Sequence, residues 1–254
     1  VACATSADGW PSPDLLIVCV KSYDTEAAIR EHAAHVSSET AVLTLQNGMG
    51  NAEALAEVLA PSQILVGVTT HGALTVAPGH VRHTGIGSIQ FGEQDGRRTD
   101  RAEWIAELLN DAGLDAQVTD NPARRLWEKL VINAAINPVT AVLRVPNGEI
   151  AANPDARALA LDAAKEAVAV ANALGIDLDE DTMLDRVVRV AEATAANRSS
   201  MLADADAGRR TEIDAITGVI VREAARRGLA VPTNQSLLGR IREIEKTRRT
   251  GVQP

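Results

Sequence analysis

Aromatic side chains are nearly missing from this sequence: three tryptophans, one tyrosine and one phenylalanine among 254 residues. The core must therefore be built from alanine, valine and leucine. Cysteine is equally scarce. Cys3 and Cys19 stand in apolar stretches without the spacing of a zinc site, a redox motif or a disulfide framework, so a reducing compartment is expected. There is no basic run and the formal charge is −9, which argues against nucleic acid as the main partner. No apolar run approaches membrane-spanning length and no signal peptide opens the chain, so the expectation is a cytoplasmic protein with no membrane partner. Low-complexity segments and internal repeats are also lacking. What remains is ordinary globular composition, 46% apolar, at a length that suits one large or two ordinary domains.

The first part alternates strand and helix signals. Residues 15–20, Leu-Leu-Ile-Val-Cys-Val, are a continuous apolar run that reads as a strand buried on both faces. A helix is expected from 25 to about 35, a strand over 40–46, a helix over 51–60 and a strand over 64–70. This alternation predicts a doubly wound α/β sheet. Residues 79–85 and 88–92 then read as the two strands of an antiparallel hairpin. An amphipathic helix follows over 100–111, and 116–119 reads as a last edge strand. From Asn121 onward the pattern is helical, with Pro154 and Gly175 bracketing one helix. Another is expected over about 180–197. Thr211-x-x-Asp214 resembles a capping box opening a third that closes near Gly228, and Pro232 opens a fourth. The expected architecture is a Rossmann-type α/β domain over residues 1–120 and an all-helical domain over 121–254.

One segment carries more chemistry than the rest. Lys129, Asn133 and Asn137 stand at i, i+4 and i+8 within an otherwise apolar helical stretch, Trp127 to Ala141. At 3.6 residues per turn they form one ridge. Asparagine is a poor helix former, and a merely solvated face usually carries Glu, Lys and Arg. An ammonium and two amides on one side of a buried helix need a polar ligand. Three further strings end predicted strands, where doubly wound sheets bind ligands: Val20-Lys21-Ser22, Gln46-Asn47-Gly48-Met49-Gly50, and Thr69-Thr70-His71-Gly72-Ala73. His71 lacks Cys or His partners at ligand spacing and reads as structural, so no metal is expected. Pro146-Asn147-Gly148-Glu149 reads as a turn, Asn197-Arg198-Ser199-Ser200-Met201 as a helix end, and Thr211-Glu212-Ile213-Asp214 as a cap.

Together these strings resemble the ketopantoate reductase family (2-dehydropantoate 2-reductase) in order and spacing across nearly the whole chain. The resemblance implies NADPH-dependent reduction of 2-dehydropantoate to pantoate, a step toward pantothenate and coenzyme A. It makes Lys129 the proton donor. It assigns Asn133, Asn137, Asn147, Asn197, Arg198, Ser199 and Ser200 to the substrate, and Lys21, Asn47, Ala73 and Glu212 to the dinucleotide, with Asn47 also near the substrate. The expected partner is a small 2-oxo acid, bound in the cleft between the domains; a homodimer is left open. Reduction of another branched 2-oxo acid and a non-catalytic fragment are the alternatives.

The chain departs from the family in one respect. The family pattern opens on a strand and a G-x-G-x-x-G phosphate loop, and this sequence, which begins at Val1, contains no such loop. By that resemblance about fifty residues, one βαβ half, are expected to be missing ahead of Val1. The Rossmann-type sheet is therefore expected to be incomplete, with residues 15–20 at a raw edge and NADPH bound poorly or not at all.

Overall fold

The structure, a computed structural model, describes residues 4–249; Cys3 lies outside them. Two compact units partition the chain, Val1–Leu126 and Trp127–Pro254.

The first unit is built on a five-stranded sheet in the order β1-β2-β3-β6-β7. Strands β1 (Leu15–Val18), β2 (Ala41–Thr44) and β3 (Ile64–Thr69) run parallel. β6 (Ser88–Glu93) pairs antiparallel with β3 and parallel with β7 (Asp115–Val118). Side chains alternate across the sheet, so neighbouring residues of β2 feed different cores. Val42 joins Ile64, Val66, Ile29 and Leu55 beneath helices α1 (Thr25–His32) and α2 (Asn51–Ala56). Leu43 joins Leu65, Phe91 and Ile105 beneath helix α3 (Asp100–Asp111). The lone phenylalanine is wholly buried, and it lies directly across from Gly67, where a Cβ would stand 2.5 Å from that of Phe91.

Two strand expectations need correction. Residues 15–20 were expected to be covered on both faces, yet β1 ends at Val18 and Ile17 is 39% exposed. β1 occupies a sheet edge, where neighbouring elements cover less of it. The expected hairpin of 79–85 with 88–92 does not form. Instead β4 (Gly72–Ala77) pairs with β5 (His80–Gly85) as a separate two-stranded sheet. Pro78-Gly79 makes the turn, with Gly79 at φ 74°. Gly87 then sends the chain back to β3: a Cβ there would meet the backbone of Thr70 and His71 at 2.4–2.5 Å. Ser88 N–H donates to Thr70 Oγ1 at 2.9 Å and the new strand starts.

The second unit is helical. α4 (Pro122–Leu143) straddles the division at Leu126. It is followed by α5 (Glu149–Ala152), α6 (Pro154–Ala173), α7 (Glu180–Ala193), α8 (Ser200–Asp206), α9 (Thr217–Arg227) and α10 (Pro232–Arg249). α6 buries Ala156, Ala160, Ala163, Ala164, Ala167 and Ala171, so its neighbours approach closely and little aromatic bulk is needed. Glu166 on α6 accepts from the backbone N–H groups of Thr233 and Asn234, each at 2.8 Å, and so caps α10.

Here too the sequence reading needs two corrections. Residues 197–201 do not end a helix; they start α8, with Ser199 as its N-cap, accepting from Leu202 N–H at 3.1 Å. Thr211-x-x-Asp214 does not open a helix either, since α9 begins at Thr217. The Thr211 hydroxyl donates to Glu245 instead, at 2.7 Å.

Candidate active site

α4 places Lys129, Asn133 and Asn137 on successive turns. Their neighbours Leu130, Val131, Ala134, Ala135 and Ile136 are buried, which fixes the helix and aims the polar ridge. Lys129 and Asn133 are half-buried and Asn137 is buried. Among the described residues, the ridge side chains have no hydrogen-bond partner. None of their polar atoms is fully buried without a partner, so the row presents three reachable polar groups on one line. Burial pulls Lys129 down from an ordinary lysine value to about 8, against the opposing pull of the Glu212 carboxylate. Glu212 is itself buried, at 6% exposure, in the bend between α8 and α9.

The far end of α4 organises a second group. Pro138 lies within the helix and supplies no N–H to the turn below it. The Thr140 hydroxyl donates to the carbonyl of Ile136 at 2.8 Å, and it lies 2.8 Å from Ser199 Oγ. Ser199 Oγ is therefore engaged by the Thr140 hydroxyl as well as by Leu202 N–H. Asn147 N–H donates to the carbonyl of Asn197 at 2.9 Å, and its amide donates to Thr194 Oγ1 at 2.9 Å. Its amide oxygen is buried with no partner among the described residues. Gly148 allows this approach: a Cβ there would lie 2.8 Å from that of Ala195. The structure thus brings Asn147 and residues 197–199 together and ties them to α4. It does not leave them all equally available. Ser199 is buried with its hydroxyl engaged on both sides, and Arg198 pairs with Asp206, which also holds Arg144 at 2.8 Å. Asn197 and Ser200 remain exposed.

In the first unit, Lys21 follows β1, Asn47 follows β2 and Ala73 lies just past β3 within β4. Lys21 and Asn47 are half-buried and Ala73 is exposed. A residue the sequence reading gave no role joins two of these strand ends. Gln46 Nε2 donates to the carbonyl of Val20 at 2.8 Å and to Thr25 Oγ1 at 2.7 Å. The Gln46 oxygen accepts from Thr44 at 3.0 Å. Its place between a strand and an Asn-Gly turn was the available signal. His71 accepts at Nδ1 from Gly87 N–H and lies 3.2 Å from His83 Nε2, while its own Nε2 is buried with no partner among the described residues. Among the described residues no cluster of His, Cys, Asp or Glu has a metal-holding arrangement, and no helix is long and apolar enough to cross a membrane.

Comparison with known proteins gives two family matches: ketopantoate reductase PanE/ApbA over residues 2–96, and ketopantoate reductase PanE/ApbA C terminal over residues 121–245. A 2-dehydropantoate 2-reductase from Archaeoglobus fulgidus is 42% identical over 91% of this chain and 76% of its own length. A crystal structure of a 2-dehydropantoate 2-reductase from Geobacter metallireducens superposes with a TM-score of 0.88 at 33% identity, covering 94% of this chain and 79% of the other. A D-mandelate dehydrogenase in a ternary structure with NADH and anilino(oxo)acetate superposes with a TM-score of 0.90 at 25% identity, covering 93% and 78%.

Proposed function

The chain belongs to the ketopantoate reductase family, and from that premise we propose that it reduces 2-dehydropantoate to pantoate with NADPH, with Lys129 as the proton donor. The observation that carries the site assignment is the ridge on α4: an ammonium of lowered proton affinity and two amides, none hydrogen-bonded to a described residue.

A bound nicotinamide cofactor supplies a hydride to the ketone carbon. The residues at the strand ends fit such a cofactor in kind. Gly50 has open space where a Cβ would stand, Lys21 offers a cation for a phosphate, and Asn47 offers donor and acceptor groups. By the family resemblance Lys21, Asn47, Ala73 and Glu212 hold the dinucleotide. The G-x-G-x-x-G phosphate loop is not among the residues of this chain.

The protein's own part is electrostatic and acid–base. As hydride arrives, the carbonyl electron pair moves onto oxygen. Lys129 donates a hydrogen bond to that oxygen, stabilises the growing negative charge and then gives up the proton, leaving a neutral amine that solvent reprotonates. A lysine near 8 is well suited to this: mostly ammonium at neutral pH, yet a far stronger acid than an ordinary lysine. Asn133, one turn along, hydrogen-bonds the same oxygen. Asn137, Asn147, Asn197 and Ser200 receive the carboxylate and hydroxyl of the substrate, and the buried, unpartnered oxygen of Asn147 calls for a hydroxyl donor. Arg198 and Ser199 serve by shaping the loop.

The likeness to a D-mandelate dehydrogenase favours one second reading, reduction of a different 2-oxo acid. Steady-state rates with NADPH on 2-dehydropantoate, an unbranched 2-oxo acid and phenylglyoxylate separate the two. The expected kcat/KM is higher for 2-dehydropantoate by about tenfold or more, because its hydroxyl satisfies polar groups that the others leave unpaired. A preference for either of the others would replace the assignment, and no turnover of any of them by the folded chain would overturn it.

A further inference from the structure

Glu212 sits in a segment with no regular structure: residues 211–216 lie between α8 and α9 and belong to neither. Its backbone is held by a local turn, the Glu212 carbonyl accepting from Ala215 N–H at 3.1 Å and from Ile216 N–H at 3.0 Å. Two side chains from α10 reach across to it. Glu245 Oε1 accepts from both the backbone N–H and the hydroxyl of Thr211, each at 2.7 Å. Arg242 donates to Asp214 Oδ1 from Nε at 3.1 Å and from Nη2 at 2.6 Å. Arg242 and Glu245 are three residues apart and so share a face of the helix. Their targets, Thr211 and Asp214, flank Glu212 on its two sides.

We propose that Glu245 and Arg242 are positioning residues: by gripping Thr211 and Asp214 they set where the buried Glu212 carboxylate stands relative to Lys129. The proposal rests on the assignment of Lys129 as the acid, and it deepens that assignment by naming what controls the acid's charged neighbour. Charged hydrogen bonds suit the task, being shorter and stronger than neutral ones. Truncating Glu245 releases Thr211 without touching Glu212 or Lys129; truncating Arg242 loosens Asp214 less, because Arg222 still donates to the Asp214 carbonyl at 3.2 Å and Arg210 still stands 3.9 Å from its carboxylate. Glu212 then spends less time where its charge favours the ammonium.

The test needs neither cofactor nor substrate, so its outcome is independent of which 2-oxo acid is reduced. Lys129 is acetylated with trace acetic anhydride across a pH series, and its labelling is read by mass spectrometry against an internal amine standard. The midpoint of the curve is the proton affinity of Lys129, near 8 in the unsubstituted chain. Glu245→Ala is expected to lower the midpoint by about half a pH unit or more, and Arg242→Ala to lower it in the same direction. Glu245→Gln keeps an oxygen that accepts both Thr211 bonds, though more weakly, and is expected to lower the midpoint by clearly less than Glu245→Ala. In a Glu212→Gln background, Glu245→Ala is expected to add nothing. The proposal is overturned by an unchanged midpoint in folded Glu245→Ala, by an equal shift in Glu245→Gln, or by a shift that persists without the Glu212 carboxylate. Circular dichroism establishes folding; if Glu245→Ala does not fold, Arg242→Ala, whose side chain is exposed, decides by the same criteria.

Discussion

Lys129→Ala is expected to lower kcat for 2-oxo acid reduction by roughly 10²–10³-fold or more, with a much smaller change in KM. The substitution removes two contributions at once. One is the hydrogen bond to the developing alkoxide, which grows in strength as charge builds and so acts mainly on the transition state. The other is the proton itself, which water must then supply. Both neighbouring amides remain, so the substrate still finds most of its partners on α4. Steady-state kinetics of the folded variant check this. Near-normal turnover would show that another group protonates the alkoxide. Lys129→Arg separates the two contributions: the guanidinium keeps the positive charge but gives up a proton far less readily, and it is expected to recover only part of the loss.

The second large effect is on pH. With Lys129 as the proposed acid, the active form carries an ammonium there, and burial lowers its proton affinity to about 8. Below that pH the lysine is protonated and kcat/KM is level. Above it the active fraction falls, and kcat/KM is expected to drop about tenfold for each further pH unit. An unperturbed lysine would hold activity level for about two units more. Glu212 opposes the fall, so Glu212→Gln is expected to move the break to lower pH. A profile flat to pH 10 would contradict either the role of Lys129 or its burial. A break that stays in place in Glu212→Gln would show that the carboxylate does not act on the lysine.

The parts of this protein that could be read from its residues are those where pattern and burial coincide. α4 is legible because asparagine belongs poorly in a helix middle, and two of them in step with a lysine stand out against Leu130, Val131, Ala134 and Ile136. β2 and β3 are legible because buried parallel strands are continuous apolar runs. β4 escaped because it packs against little: Leu74 and Val76 are 49% and 43% exposed, and its partner is fixed by the Pro78-Gly79 turn and the close approach at Gly87, which depends on contact geometry. α8 escaped because it has only seven residues, too few for a hydrophobic period to show.

The capping string at Thr211 misled for a different reason. Its residue types match a helix start, but the Thr211 hydroxyl and N–H are both taken by a carboxylate 34 positions away. Local spacing carries no information about that partner. The same holds for the loop near α4. Ser199 matches a substrate position by resemblance, yet it is Thr140, 59 residues earlier, that occupies its hydroxyl. Residues that touch a ligand leave a mark in the sequence because they are costly in their local setting. Residues that position them are ordinary in their own helices, as Arg242 and Glu245 are in α10, and only the folded chain reveals them.

The most direct measurement is a crystal structure of the protein with pantoate and oxidised nicotinamide cofactor bound. The account predicts the C2 hydroxyl oxygen of pantoate within about 3.2 Å of Lys129 Nζ, with Asn133 beside it and the carboxylate held farther along the same helix. Pantoate seated away from α4, with Lys129, Asn133 and Asn137 touching none of its oxygens, would contradict it.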